Sequence, residues 1–271
     1  MGLEVYYKIY DNKHICKGEL YEHLFISILV EMFGTFILVL IGNGVVANIV
    51  LKNTKGQNSG WLTIVVGWGF AVGLGAMLAY LLGGKAHLNP AVTVAVVIKN
   101  QGVIISGANS FGMVAIYLAA QLVGAICAQV LLDLIYIKHI HQSLSEQQQA
   151  SVLAMHATGP QNKKIWVNCL SEFLATIVLV ATVLVVSYGR LAFTLWSLGP
   201  MVVGAAVIAI GLGLGGTTGF AINPIRDLAP RLVHQCLPMK GKGSSDWKYG
   251  WIPVVAPLCA GVVGGALALL F

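Results

Sequence analysis

Charge is what this chain has least of. Only 10% of its 271 residues are Asp, Glu, Lys or Arg, and 57% are hydrophobic, a balance that excludes an ordinary soluble domain. Catalytic groupings are missing as well. There is no phosphate-cradling Walker sequence, no nucleophile beside a base, and no set of His, Cys and carboxylate at ligand spacing, so neither an enzyme nor a cofactor or metal site is read from it. The five cysteines, Cys16, Cys127, Cys169, Cys236 and Cys259, are scattered and odd in number, which excludes a disulfide framework. Four lie in or beside apolar runs and read as small core residues. The first twenty residues are polar and charged, unlike a cleavable signal peptide. The net charge of +6 rests on 16 Lys and Arg in all. In so apolar a chain these read as loop residues facing headgroups and solvent rather than as a nucleic-acid surface.

Long apolar runs are abundant. Residues 24–41, 62–82, 111–137, 167–186, 194–214 and 251–271 each approach or exceed the ~20 residues that a spanning helix needs. Asn-Pro occurs twice outside them, as His87-Leu88-Asn89-Pro90-Ala91 and Ala221-Ile222-Asn223-Pro224-Ile225. Asn is a strong helix N-cap, and Pro suits the first helical position because its missing N–H has no partner there. The spacing predicts helices from Asn89 to about Lys99 and from Asn223 to about His234, each roughly 16 Å long and so about half a hydrocarbon core. Glu31-Met32-Phe33-Gly34-Thr35 in the first run matches Glu172-Phe173-Leu174-Ala175-Thr176 in the fourth. The chain is therefore read as an all-α membrane protein with six transmembrane helices and two re-entrant half-helices. Residues 1–21 form a polar segment, 22–137 a first repeat, 138–164 a polar linker read as a surface loop, and 165–271 a second repeat. Three spans per repeat make the repeats opposite in topology, so the half-helices meet N-terminus to N-terminus.

That meeting point carries the chemistry. Two helix N-termini create a positive potential. Asn89 and Asn223 can each cap a helix through the side-chain oxygen and keep N–H donors for a lumen. The non-helical stretches before them, Lys85-Ala86-His87 and Gly219-Phe220-Ala221, are tolerated at membrane depth only where buried or lining water, and read as a ladder of carbonyl acceptors. Glu31 and Glu172 are ionisable residues within spans, functional by default. Glycines crowd spans two, five and six, including Gly69, Gly204, Gly261 and Gly265, and read mainly as sites of close helix approach. His139 and His141 in the linker read as solvated. Lys and Arg counts place six of the sixteen on the N-terminal side, which does not support a cytoplasmic N-terminus.

The paired Asn-Pro motifs, the paired glutamates and Gly-Phe-Ala-Ile-Asn-Pro-Ile-Arg-Asp at 219–227 resemble the aquaporin and glycerol-facilitator family, over nearly the whole chain from about Glu22. The resemblance implies a right-handed bundle with one pore per subunit of a homotetramer in the cell membrane. It implies a pore centre at Asn89, Pro90, Ala91, Asn223, Pro224 and Ile225, and a filter of Trp68, Gly211, Phe220 and Arg226. Glu31 and Glu172 would brace the re-entrant backbone. Asp227 after Arg226 marks the glycerol branch, whose aromatic corner holds polyol carbons while the arginine donates to hydroxyls. The interval from Trp68 to Asn89 is one residue longer than in familiar glycerol channels, and a lipid-facing Trp68 is the alternative.

Two positions depart from the family pattern. Ile225 replaces the usual Ala and is expected to narrow the centre. Lys85 replaces a small residue; its ammonium either faces the vestibule and attracts anions or snorkels to headgroups, the plainer reading. The function implied is a passive channel for glycerol, water and other small uncharged solutes. The rivals are a proton-coupled secondary transporter and a junction protein of the same fold with negligible flux.

Overall fold

A computed structural model describes residues 17–103, 110–189 and 198–270. Among them the regular structure is helical. In chain order, α1 is Lys17–Val50, α2 Trp61–Leu81, α3 Pro90–Lys99, α4 Ser110–Ile135, α5 Ile137–Ser145, α6 Gln149–Ala154, α7 Ile165–Tyr188, α8 Gly199–Gly213, α9 Pro224–Cys236, α10 Trp247–Gly250 and α11 Ile252–Leu267. Five segments are long and apolar enough to cross a bilayer: Leu24–Val50, Trp61–Leu81, Gly112–Ile135, Ile165–Tyr188 and Trp247–Leu270. The run expected at 194–214 supplies α8, of 15 residues. The start of that run, 194–197, lies outside the described residues.

The burial pattern inverts that of a soluble protein. Phe25, Leu62, Phe70, Leu134, Trp166 and Val185 are exposed, while Glu31, Thr35, Gln121, Gln129, Glu172 and Thr176 are buried. Hydrocarbon can cover the first set, whereas the second needs partners inside the bundle. Cys127, Cys236 and Cys259 are exposed and Cys169 half-buried, which corrects their reading as core residues. An apolar run does not separate inward from outward positions, and a thiol is apolar enough for the outside.

Helix contacts repeat themselves when the two halves are exchanged. In the first half α1 packs on α2 and α4; in the second α7 packs on α8 and α11. Each half-helix packs on the last helix of the opposite half, α3 on α11 and α9 on α4. Glycine permits the closest crossings. A Cβ on Gly204 in α8 would lie 2.6 Å from the Gly69 carbonyl in α2, and one on Gly265 in α11 would lie 2.7 Å from the Ala95 carbonyl in α3.

The linker is not an open loop. It folds into α5 and α6, and Ile140, Val152 and Met155 are buried against Ala47, Leu51 and Leu132. His139 is not simply solvated: its Nδ1 lies 2.9 Å from the Lys52 carbonyl, which can only accept, so Nδ1 donates. His141 is exposed. The polar composition of the segment hid an amphipathic α5 whose few apolar residues share one face.

Candidate functional site

Both half-helices start as their Asn-Pro pairs dictate. Asn89 is extended (φ −158°, ψ 123°) and its Oδ1 accepts from Ala91 N–H at 2.9 Å. Asn223 (φ −150°, ψ 112°) accepts from Ile225 N–H at 3.1 Å and Arg226 N–H at 3.4 Å. The amide nitrogens reach across the molecule. Asn89 Nδ2 donates to the Ile222 carbonyl and Asn223 Nδ2 to the Leu88 carbonyl, each at 2.8 Å. Each amide nitrogen carries two hydrogens, so one is held by the opposite half and the other is left for the lumen.

The segments leading into these caps are bent in the same way. Ala86 (φ 54°) and Leu88 (φ 51°) are left-handed in the first, Phe220 (φ 41°) and Ile222 (φ 46°) in the second. Such conformations are unfavourable for non-glycine residues by about 1–3 kcal/mol each, and persist only where the surroundings hold them. Two buried carboxylates do the holding. Glu31 accepts from His87 N–H at 3.1 Å, from Leu88 N–H, and from Gln121 Nε2 at 2.7 Å. Glu172 accepts from Ala221 N–H at 3.0 Å and Ile222 N–H at 2.9 Å.

A cavity of about 630 Å³ borders these elements. Asn89, Asn223, Lys85, Ala86, His87, Phe220, Ala221, Trp68 and Arg226 border it. Trp68 is 2% exposed, so it does not face lipid. The Arg226 guanidinium lies over its ring, 3.9 Å from the centroid, a stacking that favours a cation in a desolvated place. Among the described residues no side-chain hydrogen bond holds that guanidinium, and its N–H groups can serve a solute. Lys85 is exposed and borders the cavity, which favours the vestibule over the headgroup reading.

Other expected site residues stand behind the wall. Pro90, Ala91, Pro224 and Gly219 do not border the cavity. Ile225 lies in the apolar core and is 6% exposed; it is not among the residues at the cavity, which counts against its narrowing the lumen. Gly211 is also set back. A Cβ there would lie 3.0 Å from Phe220 Cζ and 2.7 Å from Val65 Cγ1, so its smallness makes room for the ring.

Two partners of Asp227, Thr158 and Arg231, escaped sequence reasoning, whereas Asp227 itself was named there as a supporting residue. Asp227 accepts from Thr158 N–H at 2.7 Å, Thr158 Oγ1 at 2.6 Å and Arg231 Nε at 2.8 Å. Arg231, fully buried, also donates to the Thr158 carbonyl at 2.8 Å and the Ser245 carbonyl at 2.7 Å. The linker is thereby fastened to the half-helix that carries Arg226. The i, i+4 spacing of Asp227 and Arg231 was a usable signal; nothing in the linker marked Thr158.

The profile of the major intrinsic protein family matches residues 22–270. The chain is 43% identical over 254 residues to glycerol uptake facilitator protein 3 of Lactiplantibacillus plantarum, covering 92% of this chain and 97% of the relative. It is 44% identical over 240 residues to the glycerol uptake facilitator protein of Streptococcus pneumoniae strain R6, covering 89% and 95%. The X-ray structure of the aquaglyceroporin from Plasmodium falciparum superposes with a TM-score of 0.74 at 28% identity, covering 90% of this chain and 95% of that one.

Proposed function

The chain belongs to the major intrinsic protein family, and from that membership we propose that it is a passive channel carrying glycerol, water and other small uncharged solutes across the membrane. It is a multi-pass membrane protein. The observation that carries the reading is the lumen itself. Arg226 N–H donors and the apolar faces of Trp68 and Phe220 meet on one cavity, with the Asn89 and Asn223 amides further along it. A polyol has one apolar edge and one edge of hydroxyls, and this wall offers rings to the first and donors and carbonyls to the second. The two helix N-termini disfavour cations at the centre, and a solute oxygen that accepts from both amides there is poorly placed to accept from the next molecule and pass a proton along the file.

Trp68, Phe220 and Arg226 form the filter in this reading, with Gly211 as the space behind Phe220. The subunit acts as one of four in a homotetramer, and no chemical conversion takes place. The proton-coupled alternative finds little support: Glu31 and Glu172 spend both oxygens on backbone N–H groups and neither borders the cavity. Purified protein in proteoliposomes, followed by stopped-flow light scattering, tests the reading. Glycerol flux should be linear in concentration and indifferent to an imposed proton gradient. Accumulation of labelled glycerol driven by that gradient would refute a channel.

A further inference from the structure

Trp61 opens α2, and its side chain does not border the cavity. It is 41% exposed, and an anchor at the membrane interface would be its ordinary role. Two contacts say more. Its indole stands edge-on to the Phe220 ring, with centroids 5.6 Å apart and planes at 87°, the arrangement aromatic pairs prefer. Its Nε1–H donates to the Gly211 carbonyl at 3.3 Å. That carbonyl lies in the last turn of α8, where helical carbonyls lack an intrahelical donor. Ile210, one residue earlier, has the Leu214 N–H; Gly211 has Trp61.

We propose that Trp61 is a positioning residue that sets the width of the solute filter by holding Phe220 from behind. The inference rests on the filter assigned above. Phe220 has a left-handed backbone (φ 41°) in a non-helical segment, so regular structure does not fix its ring. On one side is the cavity. On the others are Gly211 in α8, Gly215 in the turn that follows it, and Trp61: a Cβ on Gly215 would lie 2.9 Å from Trp61 Cζ2, and one on Gly211 would lie 3.0 Å from Phe220 Cζ. Trp61 and Trp68 are seven residues apart, two turns along one face of α2. One helix thus supplies both walls of the aperture, Trp68 directly under Arg226 and Trp61 through the ring it backs. With the indole gone, the phenyl ring can swing away from the lumen into the vacated space, and the aperture widens.

The test compares erythritol, glycerol and water permeability per channel in proteoliposomes of the parent, Trp61→Ala, Trp61→Phe, Phe220→Leu and Phe220→Leu/Trp61→Ala. The erythritol-to-glycerol ratio should rise at least about threefold in Trp61→Ala and about twofold in Trp61→Phe, which keeps a ring but loses the donor. In the Phe220→Leu background, Trp61→Ala should leave the ratio unchanged, since its effect passes through the phenyl ring. A purely anchoring role would lower yield, or all three fluxes in proportion, at a constant ratio, and that result overturns the proposal. If Trp61→Ala cannot be recovered, a parental ratio in Trp61→Phe overturns it equally. A parent that passes no glycerol sinks the functional reading and this inference with it; a parent that passes glycerol beside unmoved ratios sinks only the inference.

Discussion

The space a single residue leaves shapes the proposed filter as much as the groups it presents. Gly211 contributes no side chain, and Phe220 occupies the room this creates. Replacing both, Gly211→His with Phe220→Ala, puts a polar ring where the phenyl group stood and removes the apolar surface for polyol carbons. Glycerol permeability should fall by about tenfold, equivalent to ~1.4 kcal/mol of added barrier, while water permeability survives; stopped-flow traces at matched protein density decide it. Ile225 makes the opposite case. It packs with the core rather than the lumen, so Ile225→Ala should lower thermal stability, by about 2 kcal/mol or more as for other buried large-to-small changes, and leave glycerol flux per channel within about twofold. A large change in erythritol flux at equal abundance would return Ile225 to the pore. Asn89, Asn223 and Arg226 were legible because their positions follow from local rules, a cap and a turn of helix. Trp61 and Thr158 were not, because their partners lie 150 and 69 residues away in sequence.

At the scale of elements, the re-entrant segments are bent backbones held by carboxylates. His87 and Leu88 N–H share Glu31, and Ala221 and Ile222 N–H each have their own oxygen of Glu172. An amide in place of either carboxylate leaves at least one buried N–H without an acceptor, a loss of about 1–3 kcal/mol. Glu31→Gln and Glu172→Gln should therefore reduce the monodisperse protein recovered in detergent, with the glycerol-to-water ratio of the surviving channels unchanged. A changed ratio at normal yield would assign the glutamates to the solute path instead. The half-helices themselves were plain in the sequence, since Asn-Pro specifies a start and length alone excludes a full span. The linker was misjudged because α5 buries little more than Ile140 and Ser143, too few residues for composition to reveal.

At the scale of the whole molecule, the halves are completed by each other. Each half-helix rests on the last helix of the opposite half, and each Asn amide bonds a carbonyl 133 or 135 residues distant. Five of the six expected spans, and the duplication, were readable from apolar length and the matched glutamates; the exchange of partners between halves was not, because it is a property of the assembled bundle. The chain divided between Glu146 and Gln147, in the exposed turn after α5, should yield two fragments that transport nothing singly and restore glycerol flux when co-expressed. Flux from the first fragment alone would mean that one half is sufficient.

The crossed Asn bonds also bear on biosynthesis. When Asn89 leaves the ribosome, the Ile222 carbonyl that will receive its amide has yet to be made. Until then the first half-helix holds a capped but unanchored N-terminus that must wait, shielded from lipid, within an unfinished bundle. The centre of the cavity thus cannot close until Ile222 and Asn223 are made, and α11, on which the first half-helix rests, follows later still.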